Sequence, residues 1–211
     1  MADHAHSDDP AVQAQLDRFA QLSPGRDILG LERIERLLAL LDNPHLDLPP
    51  VFHVAGTNGK GSTCAYLRAI LEAQGLVVHS ATKPHLVRYN ERIRVAGKLI
   101  SDESLADLLK RVLDAAEDLG PSFFEVTTVA TFLAFAETPA DLALIEVGLG
   151  GKLELRLAHD LVRVDRGEGV VVALPRADAH GAIEQIRLEA QLVGGQRFRI
   201  ERLRLDRKSV V

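Results

Sequence analysis

The sequence predicts an α/β protein in which a parallel sheet is flanked by helices, and three observations support this class. A short apolar run from Val51 to Ala55 leads into a glycine-rich segment, and helix-forming sequence follows from Thr63. A second buried strand, Leu142 to Val147, comes after an apolar helix from Phe123 to Ala136. Between these landmarks strands and helices alternate, a pattern typical of a parallel, doubly wound sheet.

Composition narrows the functional classes. The 211 residues are 46% hydrophobic and 26% charged, which is ordinary for a globular protein, and the net charge of −5 argues against nucleic-acid binding. No apolar stretch reaches the length of a membrane span, and the N-terminus lacks a signal-peptide pattern. The single cysteine, Cys64, excludes an internal disulfide and is predicted to pack in a helix. We expect a monomeric cytoplasmic protein that binds neither nucleic acid nor membrane.

Helices are predicted where apolar residues recur every three or four positions. Before the first strand this spacing predicts a helix from Pro10 to Leu22 and an amphipathic helix from Leu31 to Leu41. After the glycine-rich segment it predicts a helix that continues to Gln74. Ser101 is the predicted N-cap of a further helix that runs to about Leu119.

Two shorter features fill the middle of the chain. Leu76 to Ser80 is a predicted strand, and Ile93 to Ile100 is a predicted hairpin around Gly97-Lys98, because β-branched residues flank a turn pair. The polar, aromatic segment 83–93 between them is loop-like. Its residues are compatible with a substrate-recognition loop and equally with an ordinary charged surface loop.

The glycine-rich segment 56–62, which reads GTNGKGS, has the chemistry of a phosphate-binding loop. Glycines let backbone N–H groups turn toward one anion, and the following helix N-terminus adds partial positive charge. Lys60 brings a full charge to the outer phosphates, and the Ser62 hydroxyl is placed to ligate Mg²⁺. The alternative is a glycine-rich turn with one exposed lysine. We interpret the segment as a nucleotide site, with ATP as the expected ligand.

Glu146 is the acidic residue that we expect to lie near this loop. It comes at the carboxyl end of a buried strand, the edge at which open α/β sheets bind ligands. A carboxylate there is a natural ligand for Mg²⁺. The alternative is a carboxylate that only caps the following glycine-rich turn, residues 148–151.

Four segments together resemble a known family. They read VFHVAGTNGKGST, PHLVRYNERI, FFEVTT and LALIEVGLGGKLE. In this order they resemble the N-terminal ATPase domain of bacterial folylpolyglutamate synthase/dihydrofolate synthase, a member of the Mur ligase superfamily. The resemblance covers roughly residues 25–154, and it implies the fold of the Mur ligase central domain. The second and third segments favour the folate branch.

The resemblance implies an ATP-dependent ligase. ATP phosphorylates the carboxylate of a folate or of dihydropteroate, and the amino group of L-glutamate attacks the acyl phosphate to leave an amide. By the same resemblance Glu146 ligates Mg²⁺ and acts with Lys60 in catalysis. The implied ATP-binding residues are Thr57, Asn58, Gly59, Lys60, Gly61 and Ser62, of which Ser62 also contacts the metal. Another Mur-type ligase and a non-catalytic ATP-binding protein are the alternatives.

Two departures from the family pattern affect this interpretation. The family usually has a metal-ligating serine before the PHL segment, whereas this chain has Lys83. An ammonium group cannot ligate a cation, so we expect a weakened or rearranged metal site. The family's histidine-bearing segment after GLGG cannot be aligned here, and we assign no role to His159. The second domain that completes the family's glutamate and nucleotide sites has no match.

Composition changes where the resemblance ends. Residues 1–151 carry a net charge of −8, whereas residues 152–211 carry +3 and contain no Asn, Thr, Tyr, Cys, Met or Trp. One hypothesis is an out-of-frame continuation, and the other is a small β-rich module with strands at Gly169–Leu174, Arg197–Ile200 and Leu203–Leu205. The predicted organisation is a tail and helix in residues 1–22, an ATP-binding domain in residues 23–154 and an atypical tail in residues 155–211.

Overall fold

The computed structural model describes residues 6–22, 31–56 and 58–147, together with the backbone of four later strands. Within these segments no helix is both long and apolar enough to cross a membrane. The α-helices are Pro10–Leu22 (α1), Glu32–Leu40 (α2), Lys60–Ala73 (α3), Asp102–Ala115 (α4) and Phe123–Ala136 (α5). The strands are Val51–Gly56 (β1), Val78–Ala81 (β2), Ile93–Val95 (β3), Lys98–Leu99 (β4), Leu142–Glu146 (β5), Leu161–Asp165 (β6), Val170–Pro175 (β7), Leu188–Gln191 (β8) and Arg197–Ile200 (β9).

The main sheet confirms the predicted α/β class. Seven strands pair in the order β4-β3-β2-β5-β1-β7-β6. The central strands β2, β5 and β1 are parallel, whereas β3, β4, β7 and β6 join antiparallel. The antiparallel pairs β3–β4 and β6–β7 are joined by connections of a few residues, which are too short for the crossover that parallel strands need.

Helices cover both faces of the parallel strands. Phe52 and Val54 of β1 face α3 and share a buried cluster with Leu67 and Leu71 of that helix. Val51, one residue earlier, belongs to the larger cluster formed with α1, α2, α4 and α5. Because successive side chains of a strand point to opposite faces, β1 contributes to both cores.

Local sequence explains why α4 and α5 begin where they do. Ser101 Oγ accepts a hydrogen bond from the Ser104 N–H, which confirms the predicted N-cap. Ser122 and Glu125 form a reciprocal capping box at α5. The threonines of α5 are accommodated because the hydroxyls of Thr127 and Thr131 donate to backbone carbonyls four residues earlier.

The hairpin turn lies one residue earlier than predicted. Val95 pairs with Lys98, so the turn consists of Ala96 and Gly97 rather than Gly97 and Lys98. Both turn residues have positive φ, +47° at Ala96 and +79° at Gly97. Positive φ at both positions is the geometry of a type I′ turn, whose twist matches that of the flanking strands.

The ends of the chain add to these layers. Val12 and Leu16 of α1 are buried in the same cluster as α4, so α1 packs onto the α/β unit.

The domain boundaries at residues 22 and 154 stay predictions. Two strands of the β-rich hypothesis are present as β7 and β9, whereas Leu203–Leu205 lies outside the described residues. The choice between the two hypotheses for residues 155–211 also stays open.

Candidate functional site

The phosphate-loop candidate follows β1 and forms the start of α3. Gly59 adopts the left-handed conformation, with φ +77°, and helix α3 begins at Lys60, three residues earlier than the sequence predicted. Lys60, Gly61 and Ser62 therefore occupy the first helical turn, where backbone N–H groups have no intrahelical partners. Thr57 lies outside the described residues, and Asn58, Gly59, Gly61 and Ser62 are exposed to solvent.

Gly59 makes this turn possible at no steric cost. An added Cβ at Gly59 would meet no atom within 4 Å, so the backbone conformation alone requires glycine. We expect Gly59→Ala to lower the free energy of unfolding by about 1 kcal/mol in urea denaturation, because left-handed φ is unfavourable for alanine. Gly75→Ala is the matched control. It should lower the free energy of unfolding by a similar amount, since Gly75 has φ +84° and equally open surroundings. Equal stability of Gly59→Ala and wild type would contradict the assigned conformation.

Glu146 meets this first turn at the carboxyl edge of the sheet. It is the last residue of β5 and only 4% exposed, and its Oε2 lies 3.6 Å from where a Cβ on Gly61 would stand. The same oxygen accepts a hydrogen bond of 3.1 Å from the backbone N–H of Lys83, in the loop after β2. The carboxyl ends of three neighbouring parallel strands thus bring together the residues that the sequence predicted to act together.

Cys64 is a packing residue at this place. Its side chain is 1% exposed in the cluster between α3 and the sheet, as the sequence predicted. Burial, aided by the negative charge of Glu146 and opposed by Lys60, raises the pKa of the Cys64 thiol to about 12. The thiol therefore stays protonated at neutral pH and supplies no nucleophile.

The loop after β2 is held in shape by Glu91. Its carboxylate accepts hydrogen bonds from the backbone N–H groups of Leu86, Val87 and Arg88 at 2.7 to 3.2 Å. These bonds, that from Leu86 most of all, hold the pKa of Glu91 below its usual range. The loop presents Leu86 to solvent, 90% exposed, while Glu91 itself anchors the backbone.

A shallow cleft, open to solvent, lies where this loop meets β5 and α5. Its lining includes Glu146 and two basic residues, Lys83 and Arg92. The remaining lining residues are Ala81, Thr82, Thr127, Thr128, Thr131, Phe132 and Ile145. Residues of the segment 83–93 thus line a cavity, as expected for the recognition-loop alternative.

The α5 threonines were missed as candidate site residues. Thr127, Thr128 and Thr131 all face the cleft, and Thr127 Oγ1 also contacts the Tyr89 hydroxyl at 2.7 Å. The available signal was a set of hydroxyl residues in a helix that is apolar apart from Glu125 in its first turn. His159 and the glycines 148–151 lie outside the described residues.

The residues at this edge of the sheet fit a divalent cation. A buried carboxylate oxygen, Oε2 of Glu146, beside the exposed hydroxyl-bearing Ser62 turn suits Mg²⁺, which takes few protein ligands and completes its shell with water and phosphate oxygens. Among the described residues, no group of three or more His, Cys, Asp or Glu side chains is arranged to hold a metal by itself. The metal-ligand roles of Ser62 and Glu146 stay predictions.

Comparison with known proteins gives the following relatives. No family model matches the chain. The dihydrofolate synthase/folylpolyglutamate synthase of Bacillus subtilis is 42% identical over 132 residues, which are 59% of this chain and 30% of the relative. The protein of the same name from Escherichia coli is 38% identical over 150 residues, 71% of this chain and 35% of the relative. The chain thus spans about one third of the length of these relatives.

Solved structures show the same likeness. Escherichia coli FolC in complex with DHPP and ADP is 37% identical and has a TM-score of 0.63 over 67% of this chain and 34% of that protein. A bifunctional folylpolyglutamate synthase/dihydrofolate synthase with Mn, AMPPNP and L-glutamate bound is also 37% identical, with a TM-score of 0.61 over the same shares. Sequence and fold therefore confirm the resemblance of about two thirds of this chain to part of the folylpolyglutamate synthase/dihydrofolate synthases.

Proposed function

We propose that this chain carries the ATP-binding part of a ligase that joins L-glutamate to the carboxylate of a folate or of dihydropteroate. The observation that carries the proposal is the contact between the first turn of α3 and Glu146, because Gly61 brings a phosphate-binding turn against a buried carboxylate. The relatives with bound ADP, AMPPNP, Mn and L-glutamate support ATP and a divalent cation as cofactors and glutamate as substrate.

Each residue has a defined task in this proposal. The N–H groups at the start of α3 and the Lys60 ammonium bind the phosphates, since both supply positive charge to the same anion. Glu146 and Ser62 would hold the Mg²⁺ ion, which when bound neutralises charge on the transferring phosphoryl group. Asn58, Gly59 and Gly61 let the backbone approach the nucleotide, and Thr57 is assigned to the same loop by resemblance alone.

The acceptor acid, the monomeric state and the cytoplasmic location belong to the same proposal and rest on the sequence. Phosphorylation turns one carboxylate oxygen into part of a phosphate leaving group. The glutamate amine then attacks the carboxyl carbon and displaces phosphate, which is why ATP is consumed. A second candidate, an ATP-binding protein without turnover, is favoured by Lys83 at the position where the family usually carries a serine.

Phosphate release separates the two candidates. When the chain is fused to the part of a relative that it does not span, we expect it, with ATP and Mg²⁺, to release phosphate only when L-glutamate and either dihydropteroate or tetrahydrofolate are both present. Amide product in the same reactions, measured by mass spectrometry, is the matching readout. Glu146→Gln is the comparison variant, and it should lose release while remaining folded by circular dichroism. ATP binding without glutamate-dependent release would instead support the non-catalytic candidate.

A further inference from the structure

Lys83 stands in the cleft wall, beside both Glu146 and Arg92. We propose that the Lys83 ammonium binds the reacting carboxylate of the acid substrate. This inference rests on the proposed ligase function and deepens it, since it assigns the acid-binding contact to a residue that departs from the family's usual serine. The ligand class is a carboxylic acid, bound through its anionic end.

The position of Lys83 relative to the phosphate loop is the first support. Its backbone N–H donates to Glu146 Oε2 at 3.1 Å, and that oxygen lies against Gly61 in the first turn of α3. The Glu146 carboxylate therefore contacts both the backbone of Lys83 and the turn assigned to the phosphates. Acyl phosphate formation requires the carboxylate within contact distance of the terminal phosphate of ATP. In the proposal, a carboxylate bound by Lys83 lies at the edge of the sheet where Glu146 meets that turn.

The side chain of Lys83 is also oriented. Its Nζ lies 4.3 Å from the centre of the Phe124 ring, a cation–π contact with the first turn of α5. Lys83 is partly buried and is one of the residues that line the cleft. An ammonium held in this way loses less conformational entropy on binding an anion than a free surface lysine does.

The charges around the cleft favour an anion. Arg92 is 4% exposed, donates from Nε to His85 Nδ1 at 2.8 Å, and lies over the rings of Tyr89 and Phe123. The cleft lining thus contains two basic side chains against one carboxylate, that of Glu146. Glu146 repels an anion, but it already accepts the Lys83 N–H and in the proposed function also binds the cation.

The cleft lining around Lys83 offers contacts for the rest of the acid. Phe132, Ile145 and Ala81 supply apolar lining, and the α5 threonines supply hydroxyl groups. The body of a partly apolar carboxylic acid can therefore contact both kinds of side chain along this wall. Lys83 marks the end at which its carboxylate binds.

Calorimetric titration of the full chain tests the proposal. The chain is saturated with AMPPNP and Mg²⁺. One sample is titrated with 7,8-dihydropteroate or tetrahydrofolate, whichever binds more tightly. A second sample is titrated with the analogue of that acid in which a carboxamide replaces the reacting carboxylate. We expect Lys83→Gln to raise the Kd of the acid roughly tenfold and to leave the Kd of the carboxamide within about twofold, because only the acid makes the charge-assisted contact. Lys83→Arg should keep most of the acid affinity.

Lys98→Gln is the control, because Lys98 is an exposed lysine on β4 and does not line the cleft. An equal loss of acid and carboxamide affinity in Lys83→Gln would show a merely structural role and overturn the inference. Unchanged acid affinity would overturn it as well, while leaving the ligase proposal in place. If neither acid binds the wild-type chain although AMPPNP does, both the inference and the proposed function fail.

Discussion

Lys60→Ala is expected to raise the Kd for ATP in the presence of Mg²⁺ roughly 100-fold, or about 2.7 kcal/mol. Lys60 is the first residue of α3 and is half-buried beside the exposed turn of Gly59 and Gly61. Its ammonium is the full positive charge assigned to the phosphates, whereas the helix N-terminus supplies only partial charge. Removal of the ammonium leaves the weaker of the two interactions. Titration calorimetry with ATP and AMPPNP measures the effect.

The fold should tolerate this substitution. Alanine has a higher helix propensity than lysine, so the first turn of α3 is retained and the circular dichroism spectrum should be unchanged. Lys98→Ala removes the same charge from the exposed edge strand β4 and should bind ATP as the wild type does. Equal ATP affinities of wild type and Lys60→Ala would show that residues 57–62 do not form the nucleotide site.

Features encoded by local patterns could be predicted from the sequence. Helix α5 has the bounds Phe123–Ala136 that its apolar run and flanking signals indicated. The Ser101 cap and the approach of Glu146 to the glycine-rich loop followed from residue type and from the rule that ligands bind at the carboxyl edge of a parallel sheet. The helix bounds and the cap depend on residues close in sequence. The approach of Glu146 to Gly61 is distant in sequence, but it follows from the parallel order of the strands.

Features decided by tertiary contact were not reached. Gly61 and Ser62 are poor helix formers, so their sequence predicted a later start for α3. The helix nevertheless begins at Lys60, because Gly59 turns the chain there. The cleft requires α5 to pack beside the loop of residues 82–92, and no local pattern reports that pairing. The single-residue error in the hairpin turn has a similar origin, because positive φ at Ala96 is unusual for a non-glycine residue and depends on strand register.

The contacts of Lys83 in the structure give its departure from the family pattern a second meaning. The sequence alone indicated a weakened metal site, because an ammonium cannot take the place of a hydroxyl ligand. In the structure the backbone N–H of Lys83 contacts Glu146, while its ammonium lies over Phe124. Backbone and side chain thus have separate contacts, and the substitution changes the charge of the cleft as well as the ligand set.

His53 is expected to make the fold sensitive to acid. It lies in β1, is 1% exposed, and neither ring nitrogen has a hydrogen-bond partner among the described residues. Burial lowers the pKa of His53 from 6.5 to about 4. Between these values the unfolded chain binds a proton that the folded chain does not, so stability falls as pH falls from about 6.5 to about 4. Linkage gives a loss of about 3 kcal/mol over that window and none above it.

His53→Leu should therefore raise the free energy of unfolding at pH 7 by about 1 to 2 kcal/mol, because leucine removes two buried nitrogens without partners. The variant should also lose less stability on acidification than the wild type, by the same 3 kcal/mol or so. Urea denaturation at pH 7, 6, 5 and 4 measures both effects.

His79→Leu is the contrasting substitution. His79 is also buried, but its Nδ1 accepts from the Ala96 N–H at 3.0 Å and its Nε2 lies 2.9 Å from the Thr138 carbonyl oxygen, so the neutral ring satisfies two backbone groups. Leucine there leaves both groups unpaired and should lower stability at pH 7 by about 1 to 3 kcal/mol. Both histidines are buried in parallel strands of the same sheet, on either side of β5, so the opposite signs follow from their hydrogen bonding. A destabilised His53→Leu variant, or one with the pH dependence of the wild type, would contradict the account of His53.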